Sequence, residues 1–231
     1  MTQHGSLPAC VLFDLDGTLL DTAADFAAVL QQLADEAGGA APQQHQLHQT
    51  VSAGARALVT LTLGLKPEDA DFTRWHQRLL TLYGEQVQHS RATVYDGLNG
   101  PLLQLEALGI PWGVVTNKPE SFSRTLLDAL SLSRRCAVLV CPEHVRHTKP
   151  DPEPLLLACQ RLERSAADSV YIGDHPRDVE AGRAAGMRTA VAAWGYLPAD
   201  SNPAHWGADH ILASAGDLAS WLHLPEHQES S

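Results

Sequence analysis

Apolar residues recur along this chain in two rhythms. Short runs at residues 11–13, 112–115, 138–140 and 170–172 carry no polar alternation, which is the pattern of buried strands, and 189–191 and 211–212 read as further strands. Between them, apolar positions return at helical spacing. Phe26, Val29, Leu30 and Leu33 form one such stripe behind Asp21 or Thr22, either of which can cap a helix that runs out at Gly38-Gly39. Further helices are predicted over 55–63, 68–83, 102–108, 119–130, 152–162, 176–185 and 217–222, with Gly64, Gly109 and Gly186 as stops.

The order of these elements carries the fold. After the first strand the periodicity stays helical until about Val87, so residues 21–92 read as a helical unit inserted into the chain. Residues 1–20 and 93–231 then read as one body in which strands and helices alternate. Such alternation predicts an α/β fold, a parallel sheet with helices on both faces. The polar tail from Pro225 is expected to be frayed, and neither an internal repeat nor a low-complexity segment interrupts the chain.

Composition narrows the function classes. With 231 residues, 44% hydrophobic and 19% charged, the chain can bury a sizeable core. Its formal net charge of -11 and the lack of a basic stripe speak against nucleic acid or an anionic membrane as partner. Cys10, Cys136, Cys141 and Cys159 have no C-x-x-C spacing, and reduced thiols fit them better than a metal or disulfide framework. No basic region precedes an apolar segment near the start, and no run reaches a membrane span, so a soluble cytoplasmic protein is expected. Monomer and homodimer both stay open.

Candidate chemistry lies where the strands end. Val11-Leu12-Phe13 delivers Asp14, and Asp16 follows two residues later, on the same side of an extended chain. Gly17 permits a tight turn and Thr18 adds a hydroxyl; turn chemistry by itself also accounts for Asp-x-Asp-Gly. Two carboxylates held together repel unless a cation lies between them, and hard oxygen ligands suit Mg²⁺. Behind the later strands stand Thr116-Asn117-Lys118, then Thr148-Lys149-Pro150, then Gly173-Asp174-His175-Pro176-Arg177-Asp178. In a parallel sheet ligands collect beyond the carboxyl ends of the strands. A hydroxyl, a lysine and further acids on the rim that carries Asp14 and Asp16 form a set suited to a phosphoryl group.

That ordered set, Asp14-x-Asp16-Gly17-Thr18, Thr116-Asn117, Lys149-Pro150 and Gly173-Asp174-x-x-x-Asp178, resembles the haloacid dehalogenase superfamily over almost the whole chain. The resemblance implies a Rossmann-like core with an inserted helical cap. It implies Asp14 as nucleophile, Asp16 as the acid and base that serves the leaving alcohol and the water, Thr116 as a donor to phosphoryl oxygens, and Lys149 as the cation that holds Asp14 near a phosphate. It also implies Mg²⁺ held by Asp14, the backbone carbonyl of Asp16, and Asp174, with Asp178 ligating through water or orienting Asp174. A second acid at position 16 points to phosphate esters rather than carbon–halogen bonds.

The cap would read the leaving group. In it Ser52-Ala53-Gly54-Ala55-Arg56 is the most site-like stretch, since glycine allows close approach and Arg56 offers a two-pronged anion fork, although a helix-surface arginine accounts for it too. Asn117 and His175 stand where a substrate could touch them; a surface role at a helix start serves His175 equally. This stretch, with Trp112 to Pro119 and Asp151 to Leu156, is similar to the phosphoglycolate phosphatase branch. Cys141 to Val145 and Asn202 to Asp209 are similar to phosphatases acting on N-acetylmuramic acid 6-phosphate in peptidoglycan recycling. The expected substrate is therefore a small phosphate ester that bears a carboxylate. An intramolecular phosphomutase of the same fold and a non-enzymatic Mg²⁺ or phospho-ligand binder remain as alternatives.

Overall fold

A computed structural model describes residues 7–225, so the polar tail beyond Pro225 and the first six residues lie outside the described part. Six strands form one parallel sheet: β1 (Val11–Phe13), β4 (Trp112–Val115), β5 (Val138–Val140), β6 (Val170–Gly173), β7 (Arg188–Ala192) and β8 (His210–Leu212). Their order across the sheet is β5-β4-β1-β6-β7-β8. Strand β1 is thus central, pairing with β4 (Val11 opposite Trp112) and with β6 (Val11 opposite Val170). Consecutive side chains of β1 enter opposite cores, Val11 and Phe13 one cluster, Cys10 and Leu12 the other. Both faces of β1, β4 and β6 are covered, which is why these strands are continuous apolar runs, whereas the edge strand β8 exposes His210 and Ile211.

The second cluster is closed by α7 (Glu153–Leu162) through Leu155 and Ala158, and by α8 (Pro176–Ala184) through Ala181. The first is closed by α5 (Asn99–Ala107), α6 (Glu120–Ala129) and α9 (Asp217–Trp221), and it runs on into the inserted helices. The described cysteines are all free thiols, three of them buried. None of the described helices is long and apolar enough to cross a membrane.

The insertion leaves after β1 through β2 (Leu20–Asp21) and returns through β3 (Thr93–Val94), and these two short strands pair antiparallel. Two-residue strands have no readable period, so the sequence did not announce this ladder. Between them lie α1 (Ala23–Ala37), α2 (Gln44–His48), α3 (Ala55–Leu63) and α4 (Phe72–Gln86). The apolar stripe of α1 faces α4, with Phe26 stacked on Tyr83 at 4.5 Å between ring centroids. Gly38 (φ 72°) ends α1 and Gly64 (φ 69°) ends α3 in the left-handed region that only glycine enters at no steric cost.

Two local expectations are corrected. Helix α4 starts at Phe72 rather than 68, because the Asp69 carboxylate accepts the Lys66 N–H at 2.7 Å and folds that segment into a turn. At the start of α1, Thr22 takes the N-cap position, but its hydroxyl turns away to Asp16. The free N–H groups of Thr22 and Ala23 are met instead by the Tyr196 hydroxyl at 2.7 and 2.8 Å, with Asp21 Oδ1 3.1 Å from the Ala23 nitrogen. A side chain 174 residues away thus does the work of a local cap.

Asp25, in the first turn of α1, is fully buried and fastens the outgoing to the returning chain. It accepts the Gln86 side-chain amide at 3.0 Å, the Arg91 N–H at 2.8 Å and the Ser90 hydroxyl. Asp25→Ala strands these donors in a buried place and is expected to cost about 1–3 kcal/mol. Urea unfolding measures the loss, and trypsin should cut after the exposed Arg91 faster in the variant than in the wild type.

Candidate functional site

The rim at the carboxyl ends of β1, β4 and β6 gathers the polar residues singled out above. Asp14 lies one step beyond β1 and keeps the ladder going, its N–H bonded to Ile172 O at 2.9 Å. Thr116 does the same beyond β4, bonded to Val140 O at 3.0 Å. Backbone pairing on the central strands thus fixes where both side chains start. Asp174 follows β6, and Asp178 reaches back to it from the first turn of α8. Residue 17 must be glycine: it has φ 77°, and a Cβ there would collide with the Asp174 carboxylate.

Lys149 ties the rim together. Its ammonium is buried and meets Asp14 Oδ1 at 2.9 Å, Asp178 Oδ1 at 2.8 Å, Tyr171 Oη at 2.7 Å and Val115 O at 3.0 Å. Burial works against its charge, but the two carboxylates outweigh burial and hold its pKa above the ordinary lysine value. The Asn117 side chain pins the lysine's own backbone, donating to Lys149 O at 3.0 Å and accepting from its N–H at 3.2 Å. Asn117 therefore acts on the position of Lys149 as well as lining the cavity.

Asp14, Asp174 and Asp178 each bring a carboxylate oxygen to within 4.8 Å of the others, a group able to hold a metal ion. Asp174 is 0% exposed; its Oδ2 accepts from Ser52 Oγ at 2.8 Å and from Tyr196 N at 2.7 Å, while its Oδ1 is buried without a partner. Burial first, then the charges of Asp14 and Asp178, push its pKa well above the usual carboxylate range. A hard divalent cation fits this oxygen donor set. It would give the bare Oδ1 a ligand and reverse the repulsion that raises the pKa.

Asp16 points elsewhere. Its carboxylate is held by Lys118 Nζ at 2.9 and 3.0 Å and by Thr22 Oγ1 at 2.7 Å. Lys118 is itself nearly buried, with its ammonium 4.8 Å from the Phe26 ring centroid and 4.2 Å from that of Tyr83. Lys118 was quoted above only as part of a run. Its place directly behind Thr116-Asn117 at a strand end was the available signal.

Above the rim lies a cavity of about 360 Å³ between sheet and inserted helices. Asp14, Asp16, Thr116, Lys118 and Lys149 form its floor, while Phe26, Leu79, Tyr83 and Phe122 supply an apolar wall. Arg56 reaches it from α3 with its guanidinium 4.8 Å from the centroid of the Phe72 ring. His175 stays outside the lining: its Nδ1 accepts from the Arg177 N–H at 3.3 Å and from Arg177 Nε at 3.2 Å. Burial first and Arg177 second lower the His175 pKa to about 4, so the ring is neutral near pH 7 and steadies Arg177, which does line the cavity. Tyr196, Ser52 and Arg177 were not assigned from the sequence; the contacts of Tyr196 and Ser52 join segments far apart in the chain, while Arg177 stood unremarked inside the run behind β6.

Comparison with known proteins shows the family. The family model described as haloacid dehalogenase-like hydrolase matches residues 11–192. An N-acetylmuramic acid 6-phosphate phosphatase of Pseudomonas aeruginosa is 44% identical over 212 residues, covering 92% of this chain and 93% of the relative. A phosphoglycolate phosphatase of Xanthomonas campestris is 39% identical over 220 residues, covering 93% and 97%. CbbY of Rhodobacter sphaeroides, solved in complex with phosphate, superposes with a TM-score of 0.76 at 20% identity over 94% of this chain and 100% of that one, a likeness of fold alone. The chain belongs to the haloacid dehalogenase-like hydrolase family.

Proposed function

We propose that this hydrolase cleaves a small phosphate monoester through an aspartyl phosphate, with Mg²⁺ at the acid cluster. The observation that carries the reading is the state of Asp14: one oxygen is bound to Lys149 while the carboxylate borders the cavity beside Thr116. In this reading an Asp14 oxygen attacks phosphorus as the bond from phosphorus to the leaving oxygen breaks. Thr116 donates to a phosphoryl oxygen, and Lys149 lets an anionic nucleophile approach an anionic ester. Asp16 gives a proton to the departing alkoxide, then takes one from the water that attacks the phosphorus of the intermediate. Inorganic phosphate leaves and Asp14 is restored. Asp14, Asp174, Asp178 and the Asp16 carbonyl would hold Mg²⁺, which supplies charge stabilisation to the transferring group. The helical unit of residues 21–92 serves as the cap over this chemistry.

The leaving group is proposed to be a sugar acid. Relatives named for N-acetylmuramic acid 6-phosphate and for phosphoglycolate share an ester that carries a carboxylate. The size of the cavity and its wall of Phe26, Leu79, Tyr83 and Phe122 exceed what a two-carbon acid can fill, which favours the muramic compound. Arg56 at the cavity edge is the proposed partner of the carboxylate.

Three outcomes test this reading. Asp14→Asn should keep the wild-type thermal midpoint and lose phosphate release by at least on the order of a thousandfold; turnover near wild type would overturn the nucleophile. Chelation should stop phosphate release and Mg²⁺ restore it, while Asp174→Asn should raise the Mg²⁺ concentration for half-maximal rate. For Arg56→Ala, kcat/KM on N-acetylmuramic acid 6-phosphate and 2-phosphoglycolate should fall roughly tenfold to a hundredfold, about 1.5–3 kcal/mol, and that on a neutral sugar phosphate much less. An equal fall on all three esters would remove Arg56 from carboxylate recognition.

A further inference from the structure

The acid cluster is built by the sheet, yet one of its oxygens is held by the inserted helices. Ser52 lies in the turn Val51–Ala53 between α2 and α3, and its hydroxyl crosses 122 residues of sequence to donate to Asp174 Oδ2. The second donor on that oxygen, the Tyr196 N–H, leads to the same place by another route. The Tyr196 hydroxyl accepts the N–H groups of Thr22 and Ala23, where α1 begins, and donates to Asp21 at 2.6 Å. Gly17 presses on the same carboxylate so closely that no Cβ fits. With Oδ2 engaged from two sides and packed against Gly17, the plane of the Asp174 carboxylate is set; Oδ1 is left without a partner in a cluster where Asp14, Asp174 and Asp178 each bring a carboxylate oxygen within 4.8 Å of the others.

We propose that Ser52 is a positioning residue through which seating of the helical unit and cation binding at Asp14, Asp174 and Asp178 favour each other. The inference rests on the reading of that cluster as a metal site. With the unit seated, Ser52 orients Asp174 so that Oδ1 is presented to the ion; with the unit lifted, that carboxylate loses a donor and regains rotational freedom, which an ion must then remove at a cost. Linkage makes the effect reciprocal: whatever seating adds to cation affinity, the cation adds to seating. A tie that served only to hold the unit down would stabilise the chain equally with and without the ion.

The test uses the full chain, Mg²⁺ alone and no ester. Isothermal titration calorimetry should give a Kd for Ser52→Ala on the order of tenfold above wild type, with Ser52→Thr, which keeps the hydroxyl, close to wild type. Hydrogen exchange at the amides of residues 51–56 should slow when wild type is loaded with Mg²⁺, and Ser52→Ala should lose that protection. Equal Kd values, a Thr variant as weak as Ala, exchange indifferent to Mg²⁺, or wild type that binds no Mg²⁺ would each overturn the coupling. Phosphate release is scored separately, so a protein whose Mg²⁺ affinity depends on Ser52 but which hydrolyses nothing would sink the phosphatase reading and leave this one standing.

Discussion

Behind the rim of the sheet three carboxylates stand with oxygens within 4.8 Å of one another, two of them almost wholly closed to solvent, and a single buried lysine is set against them. Desolvated charges at that spacing are costly. Lys149 compensates Asp14 and Asp178 with direct contacts, and Tyr171 adds a hydroxyl to Asp178 at 3.2 Å. Asp174 receives only the neutral donors of Ser52 and Tyr196, and its raised pKa records the shortfall. Much of the surrounding structure answers this imbalance: the glycine at 17 that lets the chain pass, the strand ends that place each acid, and Asn117 holding the lysine's backbone.

The inserted helices are bound to the same rim by polar contacts, not by packing alone. Lys118 belongs to the sheet side and pairs with Asp16, yet its ammonium lies over Phe26 of α1 and Tyr83 of α4. Asp25 joins the outgoing helix to the returning chain, and Tyr196 finishes the first turn of α1 from the far end of the sequence. Lys118 and Tyr196 join the sheet body to the inserted unit, while Asp25 ties that unit's outgoing and returning ends to each other. Contacts of this kind are short-range and directional, so each holds only while its partners stay at hydrogen-bond distance.

How much of this could be read from the sequence follows from the range of each interaction. A buried strand declares itself through a run such as Val11-Leu12-Phe13, and a polar residue behind it marks the strand end, so Asp14, Thr116 and Asp174 were visible in one dimension, and Lys149 in the loop beyond the Val138 strand. The helical stripe of Phe26, Val29, Leu30 and Leu33 was equally plain. The β2–β3 ladder was not, since two residues have no period. Nor was the cap on α1, because local rules offer Asp21 or Thr22 and a tyrosine from position 196 took the task. Ser52 lay inside a stretch singled out for Arg56, but only the folded chain brings it to Asp174.

The charge count at the cavity explains how so acidic a chain can receive an anionic ester. The net charge is -11, but screening confines its reach to about 8–10 Å at ordinary salt, so the local balance governs the bound state. Arg56, Lys118, Lys149 and Arg177 line the cavity, opposed by Asp14 and Asp16 in the lining and by Asp174 and Asp178 behind it. Counted with every group ionised, four positive charges balance four negative ones. A phosphate dianion added to that balance is unfavourable, and a divalent cation restores neutrality with the ester in place. The proposed Mg²⁺ and the phosphoryl group therefore favour each other on electrostatic grounds. A further carboxylate on the leaving group is then best met by a cation that no acid already holds. Arg56 makes no ion pair among the described residues and rests on the face of Phe72, so it can meet that carboxylate without uncovering a buried acid.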